Sequence, residues 1–180
     1  MIVRPFAEAD LAAVSAIYAD SVLHGTGTFE LDVPSVDEMR ARLAAPARLG
    51  LPVLIAEIDG QVAGYAYAGP YRLRAAYRYM VEDSIYVAEA FRGRGVGKAL
   101  LKALLDACEA MGMRQMVAVI GDSANAGSIA LHAAAGFEHV GIFHAAGWKF
   151  DAWRDVVFMQ KALGLGAQAA PDAPGLDCGR

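Results

Sequence analysis

"YVAEAFRGRGVGKALLKALLDA", residues 86–107, sets three glycines between arginines directly before a stretch of Lys, Ala and Leu. The residues after Gly97 are good helix formers, whereas "DSIYV" just upstream is β-branched and aromatic and suits a strand. The glycines therefore mark a strand-to-helix junction. A helix start leaves its first backbone N–H groups without intrahelical partners, and the aligned peptide dipoles add positive potential there. Gly93, Gly95 and Gly97 let a ligand approach that backbone, and Arg92, Arg94 and Lys98 add formal charge. Such a turn suits a phosphate or pyrophosphate.

Two familiar phosphate motifs do not fit. A P-loop needs Ser or Thr after Gly-Lys, but Ala99 follows Lys98. A dinucleotide fingerprint needs G-x-G-x-x-G near the start of a βαβ unit, whereas this chain has G-x-G-x-G mid-sequence.

A length of 180 residues suits one domain with a substantial core. Mean hydropathy is +0.33, raised mainly by alanine. No apolar run is long enough to span a bilayer, and the first ten residues lack the apolar core of a secretory signal. Cys108 in a predicted helix and Cys178 near the end make no disulfide framework. A cytoplasmic protein is expected, without membrane attachment. A net charge of −4 argues against nucleic acid as a partner. His24, His139 and His144 show no metal spacing, so no metal is expected.

Along the chain, "MIVRPF" opens as a strand. Leu11, Val14, Ile17, Tyr18 and Val22 form one helical face. Ser35 and Glu38 give a capping-box signature for a second helix, expected to stop near Pro46. Asp59-Gly60 joins two apolar runs as a hairpin. "YRLRAAYRY" is a polar connection before the strand "MVEDSIYV". The strand "QMVAVIG" and the helix "NAGSIALHAAAGF" follow, then two strands around a turn expected at Gly147. The segment 164–180 has no periodicity and reads as a disordered tail after a domain of residues 1–163. The element order β-α-α-β-β-β-α-β-α-β-β predicts an α/β (α+β) domain. It has a mixed sheet of about seven strands flanked by about four helices.

That order, with the glycine turn after the fourth strand, resembles the GNAT acetyltransferase superfamily. Its acetyl-CoA motif, Q/R-x-x-G-x-G/A, is matched by Arg92, Gly95 and Gly97, and a following Asn…GF feature by Asn125 to Phe137. "GTGTFE", "YAGPYRLRAAYRYMVEDSIYV", "VAVIGDSANAGSIALHAAAGF" and "AAGWKFDAWRDVVFMQ" are similar to the phosphinothricin and methionine sulfoximine N-acetyltransferase branch, across about residues 1–162.

The resemblance implies acetyl-CoA as acetyl donor, a small amine as acceptor and a homodimer. It places the donor on backbone of Ile85, Tyr86 and Val87, on residues Arg92, Gly93, Arg94, Gly95, Val96, Gly97 and Lys98, and near Asn125 and Ser128. The Asn125 side chain reads equally as a helix N-cap. The amine of an amino acid is mostly protonated at neutral pH, so a base is useful; Glu82 matches the family's glutamate. Asp83 should point to the opposite face of its strand.

Where many superfamily members carry a tyrosine, this chain has His132, read either as proton donor to the leaving thiolate or as a packed, site-shaping residue. Arg72, Arg74 and Arg78, just before Glu82, are candidates to hold an acceptor's carboxylate, and the resemblance matches Arg74, Tyr77, Thr28, Phe29 and Glu30 to substrate-binding positions. The apolar segment from Phe143 to Phe158, with Trp148 and Trp153, is the expected dimer surface. A different amine, a protein N-terminus, or a non-catalytic acyl-CoA sensor are the competing readings. The intact Glu82 weighs against the last.

Overall fold

Residues 1–177 are described by a computed structural model; Cys178 and the remainder of the expected tail lie outside the described residues. The elements follow the predicted order. They are β1 (Ile2–Pro5), α1 (Leu11–His24), α2 (Val36–Arg48), β2 (Val53–Ile58), β3 (Gln61–Pro70), β4 (Met80–Val87), α3 (Val96–Ala110), β5 (Gln115–Gly121), α4 (Ala126–Ala134), β6 (Glu138–Lys149) and β7 (Ala152–Ala162).

The seven strands form one sheet in the order β1-β2-β3-β4-β5-β7-β6. Only β4 and β5 run parallel, and their pairing covers just Met80 to Asp83 against Gln115 to Ala118. Beyond that register the two strands part. The edges of residues 84–87 and 119–121 thus face a gap in mid-sheet rather than each other.

Two apolar clusters hold the layers. On one face, α3 buries Val96, Leu100, Leu101, Leu104 and Cys108 at helical spacing against β2, β3 and β4. Each fully buried leucine contributes about 1.5–3 kcal/mol. On the other face, the predicted stripe of α1 packs with Met39 and Leu43 of α2 against Ile55 and Tyr65. Asp59 and Gly60 both have positive φ, 52° and 75°, as a two-residue type I′ hairpin demands.

Helix α2 ends at Arg48, near Pro46 as expected, and a proline in the last turn forfeits only one hydrogen bond. Two local expectations are corrected. Half of the capping box forms: Ser35 Oγ accepts from the Glu38 N–H, while the Glu38 carboxylate pairs with Arg42 instead. The last hairpin does not turn at Gly147, which lies within β6. It turns at Phe150 and Asp151, whose φ values are 53° and 52°.

The described part of the segment after residue 163 contains no helix or strand, yet it lies against the sheet. Tyr79 Oη donates to the Ala173 carbonyl, the Leu176 N–H to the Arg78 carbonyl, and Leu176 is 5 % exposed.

Candidate active site

The gap between β4 and β5 opens into a cavity of about 870 Å³. Three elements wall it: the parted strand ends, the glycine turn with the start of α3, and the start of α4 with the loop after α1. Ile85 and Val87 face the α3 side and Tyr86 the α1 side, where its ring stacks on Tyr65 at 5.1 Å. Tyr86 also lines the cavity.

A 3₁₀ turn at Glu89–Phe91 leads into the glycines. Gly93 and Gly95 have φ of 73° and 81°, and a methyl group added at either would meet no protein atom within 4 Å. Gly95 caps α3, whose first intrahelical bond runs from the Ala99 N–H to the Gly95 carbonyl. The N–H groups of residues 96–98 thus point out of the helix start. Gly97 has a further reason to be glycine: a methyl there would sit 3.2 Å from Leu131 Cδ2, so it lets α4 close on α3.

Lys98 lies on the wall. Arg92 also does, its guanidinium reaching Asp20 at 3.2 Å, whereas Arg94 turns away over the Phe91 ring.

Asn125 is the N-cap of α4: its Oδ1 accepts from the Ser128 N–H and its Nδ2 donates to the Gly121 carbonyl. Ser128 lines the cavity beside it.

Neighbouring carboxylates on β4 have different fates. Glu82 is half-buried on the wall, on the face shared with Tyr67 and Ser84. Burial pushes its carboxyl above the ordinary glutamate value, the Asp83 charge adds to the rise, and Arg72 opposes it. A raised carboxyl beside a cavity is suited to proton transfer near neutrality.

Asp83 does point to the opposite face, where its Oδ2 lies 3.0 Å from His132 Nε2. His132 Nδ1 is 2.7 Å from the Ser128 carbonyl, which can only accept, so both ring nitrogens are engaged within the protein. Burial pulls the His132 imidazole down, but the Asp83 hydrogen bond and charge outweigh it and the balance is upward. His132 is also 5.0 Å, edge to face, from Phe137.

The acceptor residues implied by resemblance do not share one surface. Thr28 lines the main cavity, and its Oγ1 is 3.1 Å from Tyr18 Oη. Phe29 and Glu30 do not; Glu30 instead pairs with Arg42. Arg72, Arg74 and Tyr77 line a separate, smaller hollow of about 640 Å³ together with Leu73. Arg72 still acts on Glu82 electrostatically, which links the two.

Three functional candidates escaped the sequence reading. Strand alternation fixes only the direction of Asp83, although a carboxylate on the buried face of a strand requires a partner. Arg154 lines the cavity, donating to Asp122 Oδ2 and the Lys149 carbonyl. Lys149 is 2 % exposed and donates to the Thr28 carbonyl at 2.8 Å. For these last two no sequence signal existed, since Lys149 of β6 meets the loop after α1, and Arg154 of β7 meets Asp122 after β5, only in the folded chain. Among the described residues, no cluster of three His, Cys, Asp or Glu side chains is arranged to hold a metal, and no helix is long and apolar enough to cross a membrane.

The Acetyltransferase (GNAT) family profile matches residues 18–137, which include the glycine turn, Glu82 and His132. The chain belongs to the GNAT family. As a GNAT chain it is an acyltransferase. It is 47% identical over 170 residues to a phosphinothricin N-acetyltransferase of Alcaligenes faecalis, covering 94% of this chain and 86% of that one. A Salmonella typhimurium L-methionine sulfoximine/L-methionine sulfone acetyltransferase is 41% identical over 96% of this chain and 99% of its own. Among solved structures, a GNAT phosphinothricin acetyltransferase from Sinorhizobium meliloti, in complex with AcCoA, superimposes with a TM-score of 0.92. It is 46% identical, with 94% of this chain and 92% of that one covered.

Proposed function

We propose that the protein is an acetyl-CoA-dependent N-acetyltransferase acting on the α-amino group of a small amino-acid analogue such as phosphinothricin or methionine sulfoximine. The observation that carries this reading is the half-buried Glu82 on the wall of the cavity opened by the parting of β4 and β5. The residues present fit the donor. Open space over two left-handed glycines accepts a pyrophosphate, and the unpaired edge at Ile85, Tyr86 and Val87 accepts amides as an added strand would. Acetyl-CoA supplies an activated acyl carbon in thioester linkage.

The chain's own residues do the rest. Glu82 takes the proton that the acceptor's ammonium must shed, directly or through water, freeing the nitrogen lone pair. The backbone N–H groups at the end of β4 are preorganised donors for the thioester carbonyl oxygen. Lys98 and the α3 N-terminus neutralise the donor's phosphates. The engagement of both His132 nitrogens favours a site-shaping role: the ring compensates Asp83 and fixes the middle of β4 on α4. Arg72, Arg74 and Tyr77 are assigned the acceptor's carboxylate, since a guanidinium binds it in two-pronged fashion.

The assembly is assigned as a homodimer through β6 and β7. Phe143, Trp148 and Trp153 are 63 %, 53 % and 64 % exposed, so the two indoles do not fill the protein's own core. Light scattering should give twice the 19.0 kDa chain mass, and a monomer at micromolar concentration would retire that assignment. The cytoplasm is the compartment assigned, in keeping with the buried free thiol of Cys108.

Thiol release from acetyl-CoA, measured across a panel of α-amino acids, their carboxylate-free analogues, polyamines and peptide N-termini, tests the function. Turnover confined to small α-amino acids supports it. Preference for a carboxylate-free amine moves the acceptor to another class, and no turnover at all leaves an acyl-CoA sensor.

A further inference from the structure

Phe29 and Lys149 are separated by most of the sequence, and neither is on the cavity wall. In the fold they meet at one place. The Phe29 ring occupies a slot between the end of β5 and the end of β6. A methyl group added at Gly147 would lie 2.5 Å from its Cδ2, and one at Gly121 2.6 Å from its Cε1 and from the Thr26 carbonyl oxygen. Neither glycine has a left-handed φ, so the backbone itself does not require glycine at either position. Glycine inside a strand weakens it unless something must approach closely, and the thing that approaches both is one aromatic ring.

Beside the slot, the buried Lys149 ammonium donates to the Thr28 carbonyl and stands 5.0 Å from the Phe150 ring. Burial lowers its pKa, and nearby Glu30 opposes that shift. An amine that is 2 % exposed is costly to bury unless bonded. Acetyl transfer has no use for one behind the cavity wall.

We propose that Phe29 and Lys149 are positioning residues. They form a clasp that pins the loop after α1 across β5 and β6, and Gly121 and Gly147 are the slot that admits it. The clasp sets acceptor affinity, and in this respect the inference rests on the acceptor reading above. Gly25, Thr26, Gly27 and Thr28, immediately before the ring, are cavity wall, and they belong to no helix or strand that would hold them otherwise. Their placement comes from side: the ring in its slot, the ammonium on the Thr28 carbonyl and the Tyr18 hydroxyl on Thr28 Oγ1. The donor's turn, at residues 92–98, is built without the clasp. Releasing the loop should therefore loosen the amine and spare the donor.

The experiment compares full-length Gly147→Ala, Phe29→Ala and the double variant, with methionine sulfoximine as the amine. Each single substitution should raise the acceptor KM about tenfold or more, as misplacing a binding wall does, with a smaller change in kcat and acetyl-CoA Kd held within about twofold. Gly147→Ala acts by expelling the ring, so in the double variant it should add nothing to Phe29→Ala. Additive effects, an unchanged KM in folded variants, or a parallel loss of acetyl-CoA affinity would overturn the clasp.

If Gly147→Ala does not fold, Lys149→Met keeps the buried stem, removes the donor to Thr28 and should show the same KM-dominated change; an unchanged KM overturns the proposal equally. Failure of the acceptor reading looks different, because the unmodified protein would then turn over no α-amino acid.

Discussion

The two sides of the cavity are built in opposite ways. The side proposed for the donor is nearly one continuous piece of chain: the end of β4, a 3₁₀ turn, two left-handed glycines and the first turn of α3. It offers backbone N–H groups and open space. The side proposed for the acceptor is gathered from the loop after α1 and the ends of β5 and β7, with the hollow of Arg72, Arg74 and Tyr77 separate from it, and its residues are held by distant partners. A site made of contiguous backbone depends on local conformation, whereas one made of gathered side chains depends on every element that positions them. Damage to the two sides should therefore be separable.

The largest expected effect lies where the sides meet. Glu82→Gln should lower kcat on the order of 10²–10⁴-fold, with part of the loss regained at higher pH as free amine appears. Because burial raises the Glu82 carboxyl, the unmodified enzyme should lose activity on acidification from above the ordinary value of 4.5. A pH–rate profile reads both, and full activity of Glu82→Gln near neutral pH would remove the base.

The Asp83–His132 pair comes next. His132→Ala leaves a buried carboxylate without its partner, and should cost about 3–5 kcal/mol in denaturant unfolding. The sign of its pH dependence follows from the raised folded pKa of His132. The stabilisation is complete below the unfolded value of 6.5 and is lost as pH rises through the folded value. Asp83→Asn should flatten that decline; an unaltered slope would mean the pair is not its source.

Two substitutions then test the separation itself. Gly95→Val should weaken acetyl-CoA binding in calorimetry and also strain a residue with φ of 81°, by about 1–2 kcal/mol. Arg74→Ala should raise the acceptor KM about tenfold, leaving kcat and acetyl-CoA affinity nearly unchanged. If Arg74→Ala weakened the donor instead, the two sides would be one. Smallest is a gain: Glu82→Gln should raise Tm slightly at neutral pH, since a carboxyl with a raised folded pKa is destabilising when ionised. The gain should vanish below pH 4.5, where the unfolded carboxyl is also neutral.

The sequence by itself determined whatever depends on short-range periodicity and backbone conformation. The alternation of residues 80–87, the stripe of Leu11, Val14, Ile17, Tyr18 and Val22, the Asp59-Gly60 hairpin and the glycine turn into α3 all carry their structure within a few residues. Strand alternation even put Glu82 and Asp83 on opposite faces. The tertiary structure alone decided what those faces meet: His132 for Asp83, and Arg72 within electrostatic reach of Glu82.

It also moved the last turn from Gly147 to Phe150 and Asp151. A glycine's reason there is not its own backbone but the ring of Phe29, over a hundred positions away in the chain. Periodicity and φ preference are local quantities that a sequence displays directly. Steric exclusion, desolvation and the pairing of buried charges arise only between segments that folding has brought together.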